Sequence, residues 1–197
     1  MFCFIRNITL IFLFLSSKHQ TYLLLFCYTN SNFKELNLKT MKSNIGITQE
    51  NLAKVAHSLN VLLADETILY IKTRNAHWNV EDPNFHALHL FLEEQYGILA
   101  QIIDDIAERI RSLGHYAEAT LKGYLELTHL TEKKSKKNDG PGYLKELLDD
   151  HEAIIKELRG NIPVYDEDWN DVGSSDFITG ILQTHEKIAW MLRSHLK

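Results

Sequence analysis

Proline and glycine are scarce in this chain: three prolines, at positions 83, 141 and 163, and nine glycines among 197 residues. That scarcity excludes collagen-like and Pro/Gly low-complexity chains and leaves long stretches in which a helix meets no breaker. Cysteine is scarcer still. Cys3 and Cys27 are the two in the chain, so the sequence after residue 27 has neither a disulfide framework nor a cysteine metal site, in keeping with a reducing cytoplasm. No apolar run reaches the ~20 residues that span a bilayer, and no membrane partner is expected. Basic residues are the minority, 21 Lys and Arg against 26 Asp and Glu, for a net charge of -5. A general phosphate-binding surface needs the opposite balance.

The first forty residues differ in composition from the rest. They are rich in Phe, Leu, Ile, Tyr and Asn and carry no helical period. Ile8 to Leu15 behind Arg6 has the length of a signal-peptide core, but Ser16-Ser17-Lys18-His19 supplies no small-x-small cleavage site. The preferred expectation is a start at Met41, with residues 1–40 a translated upstream region and 41–197 the domain. Arg6, Lys18, Lys34 and Lys39 against Glu35 give the leader +3, and removing that from the whole-chain -5 leaves -8 for residues 41–197.

From Thr48 the apolar residues fall at helical spacing: Leu52, Val55, Leu59, Leu62, Leu63, Leu69 and Tyr70 predict a helix to about Arg74. A second helix is predicted from about Pro83, capped by Asp82, to Leu113, with Gly114 as its stop. Leu88, Leu92, Leu99, Ile103 and Ile110 form its apolar face. A shorter helical piece is expected from Ala117 to Thr131. A charged, turn-rich loop from Lys133 to Gly142 precedes a third long helix, Tyr143 to about Arg159. After an irregular acidic stretch, Ser174 or Ser175 is expected to cap a last helix reaching nearly to Leu196. Four long helices predict an all-α, four-helix bundle with a short extra helix between the second and third.

The second helix also carries a polar stripe. At ~100° per residue, His89, Glu93, Asp104 and Glu108 lie at about 0°, 40°, 60° and 100°, on one side of the axis. His89 and Asp104 are nevertheless roughly 22 Å apart along a helix rising 1.5 Å per residue, so one copy cannot close a coordination sphere. Two antiparallel copies crossing near Ile98 and Leu99 would set Asp104 and Glu108 of one opposite Glu93 and His89 of the other. His77, ahead of the helix, is expected to fold back from a non-helical segment to join them. Two imidazoles with three carboxylates suit iron or zinc. An isolated histidine or acid on a helix is ordinarily packed or solvated, so the weight rests on all five together.

The pattern His77-Trp78-Asn79-Val80, Pro83, Phe85, Ala87-Leu88-His89, Glu93-Glu94, Asp104 and Ile106-Ala107-Glu108-Arg109-Ile110 resembles the Dps family, the DNA-binding proteins from starved cells or miniferritins. The ending His185-Glu186-Lys187-Ile188-Ala189-Trp190-Met191-Leu192-Arg193 extends the likeness to Met41–Lys197. Asp82 departs from it, standing where members often have glycine. The resemblance implies a ferritin-like bundle, a dodecameric shell, and ferroxidase centres shared between subunits. Each centre would take His77, His89 and Glu93 from one chain and Asp104 and Glu108 from its two-fold mate, with room for two ferrous ions. It further implies oxidation of iron by hydrogen peroxide in preference to dioxygen, storage of ferric mineral, and iron-entry pores for which Asp171, Asp176 and, less closely, Asp168 are the matching acids. Trp78, beside His77, is a candidate electron donor. Glu126-Leu-Thr-His129 is the one Glu-x-x-His in the chain and cannot by itself build the intrachain di-iron site of other ferritin-like proteins. The rival function is DNA binding. For that, the chain offers one basic cluster, Lys133, Lys134, Lys136 and Lys137, and the expected binding is weak. A static zinc scaffold is a third reading.

Overall fold

The computed structural model describes residues 43–132 and 137–197, with the backbone of three strands in the leader. The chain divides into two compact units, Met1–Thr40 and Met41–Lys197. In the first, β1 (Phe4–Ile5), β2 (Ile8–Ser17) and β3 (Gln20–Thr29) pair antiparallel in that order, with Ile8 opposite Thr29 and Ser17 opposite Gln20. A run of Phe, Leu, Ile and Tyr without helical period is the composition that strands favour.

The second unit is a four-helix bundle of α1 (Gln49–Asn79), α2 (Phe85–Ser112), α4 (Gly140–Pro163) and α5 (Val172–His195), with α3 (Leu121–Leu127) in the connection between α2 and α4. α1 packs on α2 and α4 on α5, each pair joined by a short connection that turns the chain back on itself. Leu52, Val55, Leu59, Leu63 and Leu69 of α1 meet Leu92, Leu99, Ile106 and Ile110 of α2 and Ile154, Leu158, Ile178 and Leu192 in one continuous buried cluster. Full burial of one such side chain contributes about 1.5–3 kcal/mol, so the apolar stripes are what hold the helices together.

The helix ends differ from the sequence expectation for local reasons. Thr48 caps α1 as expected, accepting the Asn51 N–H at 3.2 Å. The helix then continues past Arg74 to Asn79, because no breaker intervenes and Ala76 and His77 are buried against the bundle. Asp82 is not the cap of α2. Asn84 holds that position, and Asp82 Oδ1 accepts the Asn84 N–H at 2.8 Å in a turn ahead of the helix. Gly114 ends α2 at φ +90°, a conformation costly for any side chain, while the Gly114 and His115 N–H groups return to the carbonyls of Arg111 and Ile110. α3 is shorter than expected, since Glu118 takes the N–H groups of Ala119 and Thr120 and Thr120 caps the helix. α4 starts early, capped by Asp139 with Pro141 in its first turn, and passes into a π-helical segment, Val164–Asp168. α5 is capped by Asp171 rather than by Ser174 or Ser175.

Candidate metal centre

His77 lies in the last turn of α1, not in a non-helical segment, and there faces His89 in the first turns of α2. Their rings stack with centroids 3.8 Å apart and planes 20° from parallel. His77 Nδ1 is 2.9 Å from the carbonyl of His89, and His89 Nδ1 is 3.0 Å from the carbonyl of His77. A carbonyl can only accept, so each Nδ1 carries its proton and donates. In the neutral imidazole each Nε2 is then the lone-pair nitrogen, and no hydrogen-bond partner of either is found among the described residues. Fixing the tautomer through the far nitrogen is how a protein prepares imidazoles for a metal.

Glu93 is exposed one helical turn beyond His89. Tyr96 Oη donates to its Oε1 across 3.4 Å, and the Tyr96 ring meets His77 edge-on at 5.2 Å. Loss of hydration, then the Glu93 carboxylate, hold the Tyr96 phenol above its ordinary range, so it stays a donor. Arg74 lies over the rings of Trp78 at 4.8 Å and Tyr96 at 4.7 Å and donates to Tyr70 Oη at 2.6 Å. Trp78 is itself 63% exposed, an indole held at the surface by a cation.

Asp104 and Glu108 lie farther along α2, both exposed, and neither has an ion-pair or hydrogen-bond partner among the described residues. They are too far along the helix to join His89 within one chain. The same face of α2 leaves Phe85 and Leu90 exposed, 46% and 49%.

Of the acids suggested for a pore, Asp168 and Asp176 are exposed at either end of the turn into α5. Asp171 is different. It is 2% exposed, accepts from Ser174 N–H at 2.9 Å and Ser174 Oγ at 2.6 Å, and meets Arg109 Nη2 at 3.3 Å. Its carboxylate is committed inside the protein. Lys133, Lys134 and Lys136 of the basic cluster lie outside the described residues. Among those residues, no helix is long and apolar enough to cross a membrane.

Two polar groupings were not foreseen from sequence. Glu66, His185 and His151, all buried, come from α1, α5 and α4: His185 Nε2 is 2.8 Å from Glu66 Oε1, and its Nδ1 is 2.8 Å from His151 Nδ1. In the second, Glu126 of the Glu-x-x-His pairs with Lys122, whereas His129 meets Asp65 and Glu157. The members of each grouping are scattered along the chain, and of them His129 alone lies in a motif, the Glu-x-x-His, whose glutamate pairs with Lys122 instead.

A family model described as a ferritin-like domain matches residues 56–197. An uncharacterised low temperature-induced protein of Nostoc is 41% identical over 154 residues, 78% of this chain and 86% of the relative. DNA protection during starvation protein 2 of Bacillus anthracis is 36% identical over 143 residues, 73% of this chain and 97% of the relative. Among solved structures, the Dps protein of Vibrio cholerae O1 superposes with a TM-score of 0.74 at 31% identity, covering 80% of this chain and 98% of that one. It is described as a member of a broad superfamily of ferritin-like diiron-carboxylate proteins.

Proposed function

This chain belongs to the Dps family of ferritin-like proteins, and from that premise we propose that it oxidises ferrous iron at sites shared between subunits and stores the ferric product inside a hollow, dodecameric shell in the cytoplasm. The observation that carries the reading is the reciprocal pair of Nδ1–H to carbonyl bonds between His77 and His89, which leaves both Nε2 lone pairs available. Glu93 supplies a carboxylate beside them. Asp104 of the partner subunit and Glu108 of the partner subunit complete the set. The lack of a partner for these acids among the described residues, and the exposed Phe85 and Leu90 on the same helix, support a two-fold contact along α2.

Iron is the substrate here. Imidazole nitrogens favour ferrous loading, and carboxylates stabilise the ferric product. Hydrogen peroxide is the preferred oxidant: it takes one electron from each of about two ferrous ions and, with two protons, leaves as water, with no radical released. Asp176 and Asp168 are proposed to draw ferrous ions toward the shell, with Asp171 positioning the turn that carries them.

The test is anaerobic ferrous loading of the full-length protein followed by peroxide. The expected outcome is rapid oxidation at about two irons per peroxide, falling to the rate in buffer in the His77→Ala/His89→Ala protein, which still assembles. Unchanged oxidation in that variant would remove the assignment. The name of the Bacillus anthracis relative favours DNA protection as a second reading. It requires a band shift at low salt that is lost when Lys133, Lys134, Lys136 and Lys137 are reversed in charge.

A further inference from the structure

Away from the proposed iron site, a second set of metal-competent groups lies where α1, the segment after α3, and α4 meet. His129 follows the end of α3. Its Nδ1 is 3.0 Å from Glu157 Oε2 of α4 and 3.7 Å from Asp65 Oδ2 of α1. The three donor atoms all lie within 4.8 Å of one another. A tetrahedral ion with bonds of 2.0–2.1 Å places its ligands about 3.3 Å apart, so small side-chain adjustments suffice to surround one.

The surroundings of Asp65 orient it for such a role. Its Oδ1 accepts from Thr128 Oγ1 at 2.6 Å and from the His129 N–H at 2.7 Å. One oxygen is thereby locked, and the other is turned toward the imidazole, the supporting arrangement typical of ligating carboxylates. Asp65 is 1% exposed, Glu157 half-buried and His129 open to solvent, so an ion would enter from water and keep an open coordination position. The ion pair serves Glu157 directly and Asp65 only at longer range. The proton on His129 Nδ1 is taken by the nearer Glu157, leaving Asp65 Oδ2 without a donor at hydrogen-bond distance among the described residues. A divalent ion in place of that proton neutralises both carboxylates at once.

We propose that Asp65, His129 and Glu157 form an intrachain site for a zinc-class divalent cation, distinct from the interfacial iron ligands, which clamps the connection after α3 onto α1 and α4. Because Nδ1 must lose its proton to bind, metal and proton compete there.

The experiment uses the full-length His77→Ala/His89→Ala protein, in which the interfacial histidines are gone, titrated with cobalt(II) at neutral pH and followed by visible absorption. One saturable ion per chain is expected, with affinity weakened about tenfold or more by His129→Ala, by Glu157→Gln or by Asp65→Asn. Zinc should raise the melting temperature of the parent and not of these variants. Cobalt isotherms that coincide between the parent and Glu157→Gln, a change that keeps the side-chain shape, would overturn the site, as would absence of saturable binding in the parent. His129 is exposed, so His129→Ala is expected to keep its fold, with circular dichroism as the check.

Discussion

His185 Nδ1 and His151 Nδ1 face each other across 2.8 Å in the middle of the bundle, and one proton must serve both nitrogens. The other side of His185 meets Glu66 at 2.8 Å, close but poorly aligned for a hydrogen bond. Burial first, and then His185, hold His151 well below the ordinary histidine value of 6.5. In the unfolded chain His151 takes up a proton near 6.5, while in the folded protein it does not until well below. The unfolded state therefore binds more protons in that window. Stability is full above about pH 6.5 and falls as pH drops toward the depressed folded value, by about 1.4 kcal/mol per pH unit for this one group. The melting temperature should decline below about pH 6.5, and His151→Phe should flatten the decline. Equal slopes in the two proteins would assign the acid sensitivity elsewhere.

Lys72 offers a sharper stability test. Its side chain is almost wholly buried, with Asp150 Oδ2 at 2.5 Å, Glu146 Oε1 at 3.0 Å and the Thr131 carbonyl at 3.0 Å. Burial raises the Asp150 carboxyl even against the Lys72 ammonium. Removing the cation strands that carboxylate, and Lys72→Met is expected to cost about 3–5 kcal/mol by urea denaturation. Adding Asp150→Asn should restore part of the loss. A Lys72→Met protein as stable as the parent would show that the ion pair contributes nothing net.

These two cases mark the limit of what the sequence made legible. The 3.6-residue spacing of Leu52, Val55, Leu59, Leu63 and Leu69 identifies the buried face of α1, and every one of them is in the core. His77, His89 and Glu93 stand out because competent ligands cluster around one helix start. α1 runs past the expected end at Arg74 because Asn-Ala-His-Trp contains no stop signal and burial of Ala76 and His77 extends the helix. Asp171, Ser174 and Ser175 are all good caps by residue type, and Arg109, reaching from α2, favours Asp171. Glu66, His151 and His185 each look like a lone polar residue in an apolar stripe. Helix packing alone brings them together.

The turn before α5 separates a structural acid from a proposed functional one. Asp171→Ala removes the cap on Ser174 N–H and the partner of Arg109, and should lower stability by about 1–2 kcal/mol. Asp176→Asn, at an exposed position, should leave the melting temperature unchanged and slow ferrous uptake by the assembled protein, more so at low salt. If Asp176→Asn and Asp168→Asn together load iron at the parent rate, the entry route lies elsewhere.

Trp78 tests whether the proposed centre would protect as well as oxidise. The indole adjoins His77 in sequence, is 63% exposed, and is held under the Arg74 guanidinium at 4.8 Å, a contact worth about 0.5–1 kcal/mol at an exposed site. It touches none of the hydrogen bonds that fix the two imidazoles, which run between His77 and His89 themselves. Trp78→Phe should therefore leave iron binding and the fast oxidation step intact. What it removes is an oxidisable ring next in sequence to a proposed iron ligand, able to give up one electron when a ferrous ion is missing and peroxide has received a single electron. The expected outcome is an unchanged initial rate of iron oxidation with more hydroxyl radical trapped per iron, most visibly at substoichiometric iron. Arg74→Gln, which withdraws the cation from the ring and eases its oxidation, should shift the radical yield in the opposite direction. Equal radical yields in the parent and Trp78→Phe proteins would reduce Trp78 to a surface contact of Arg74.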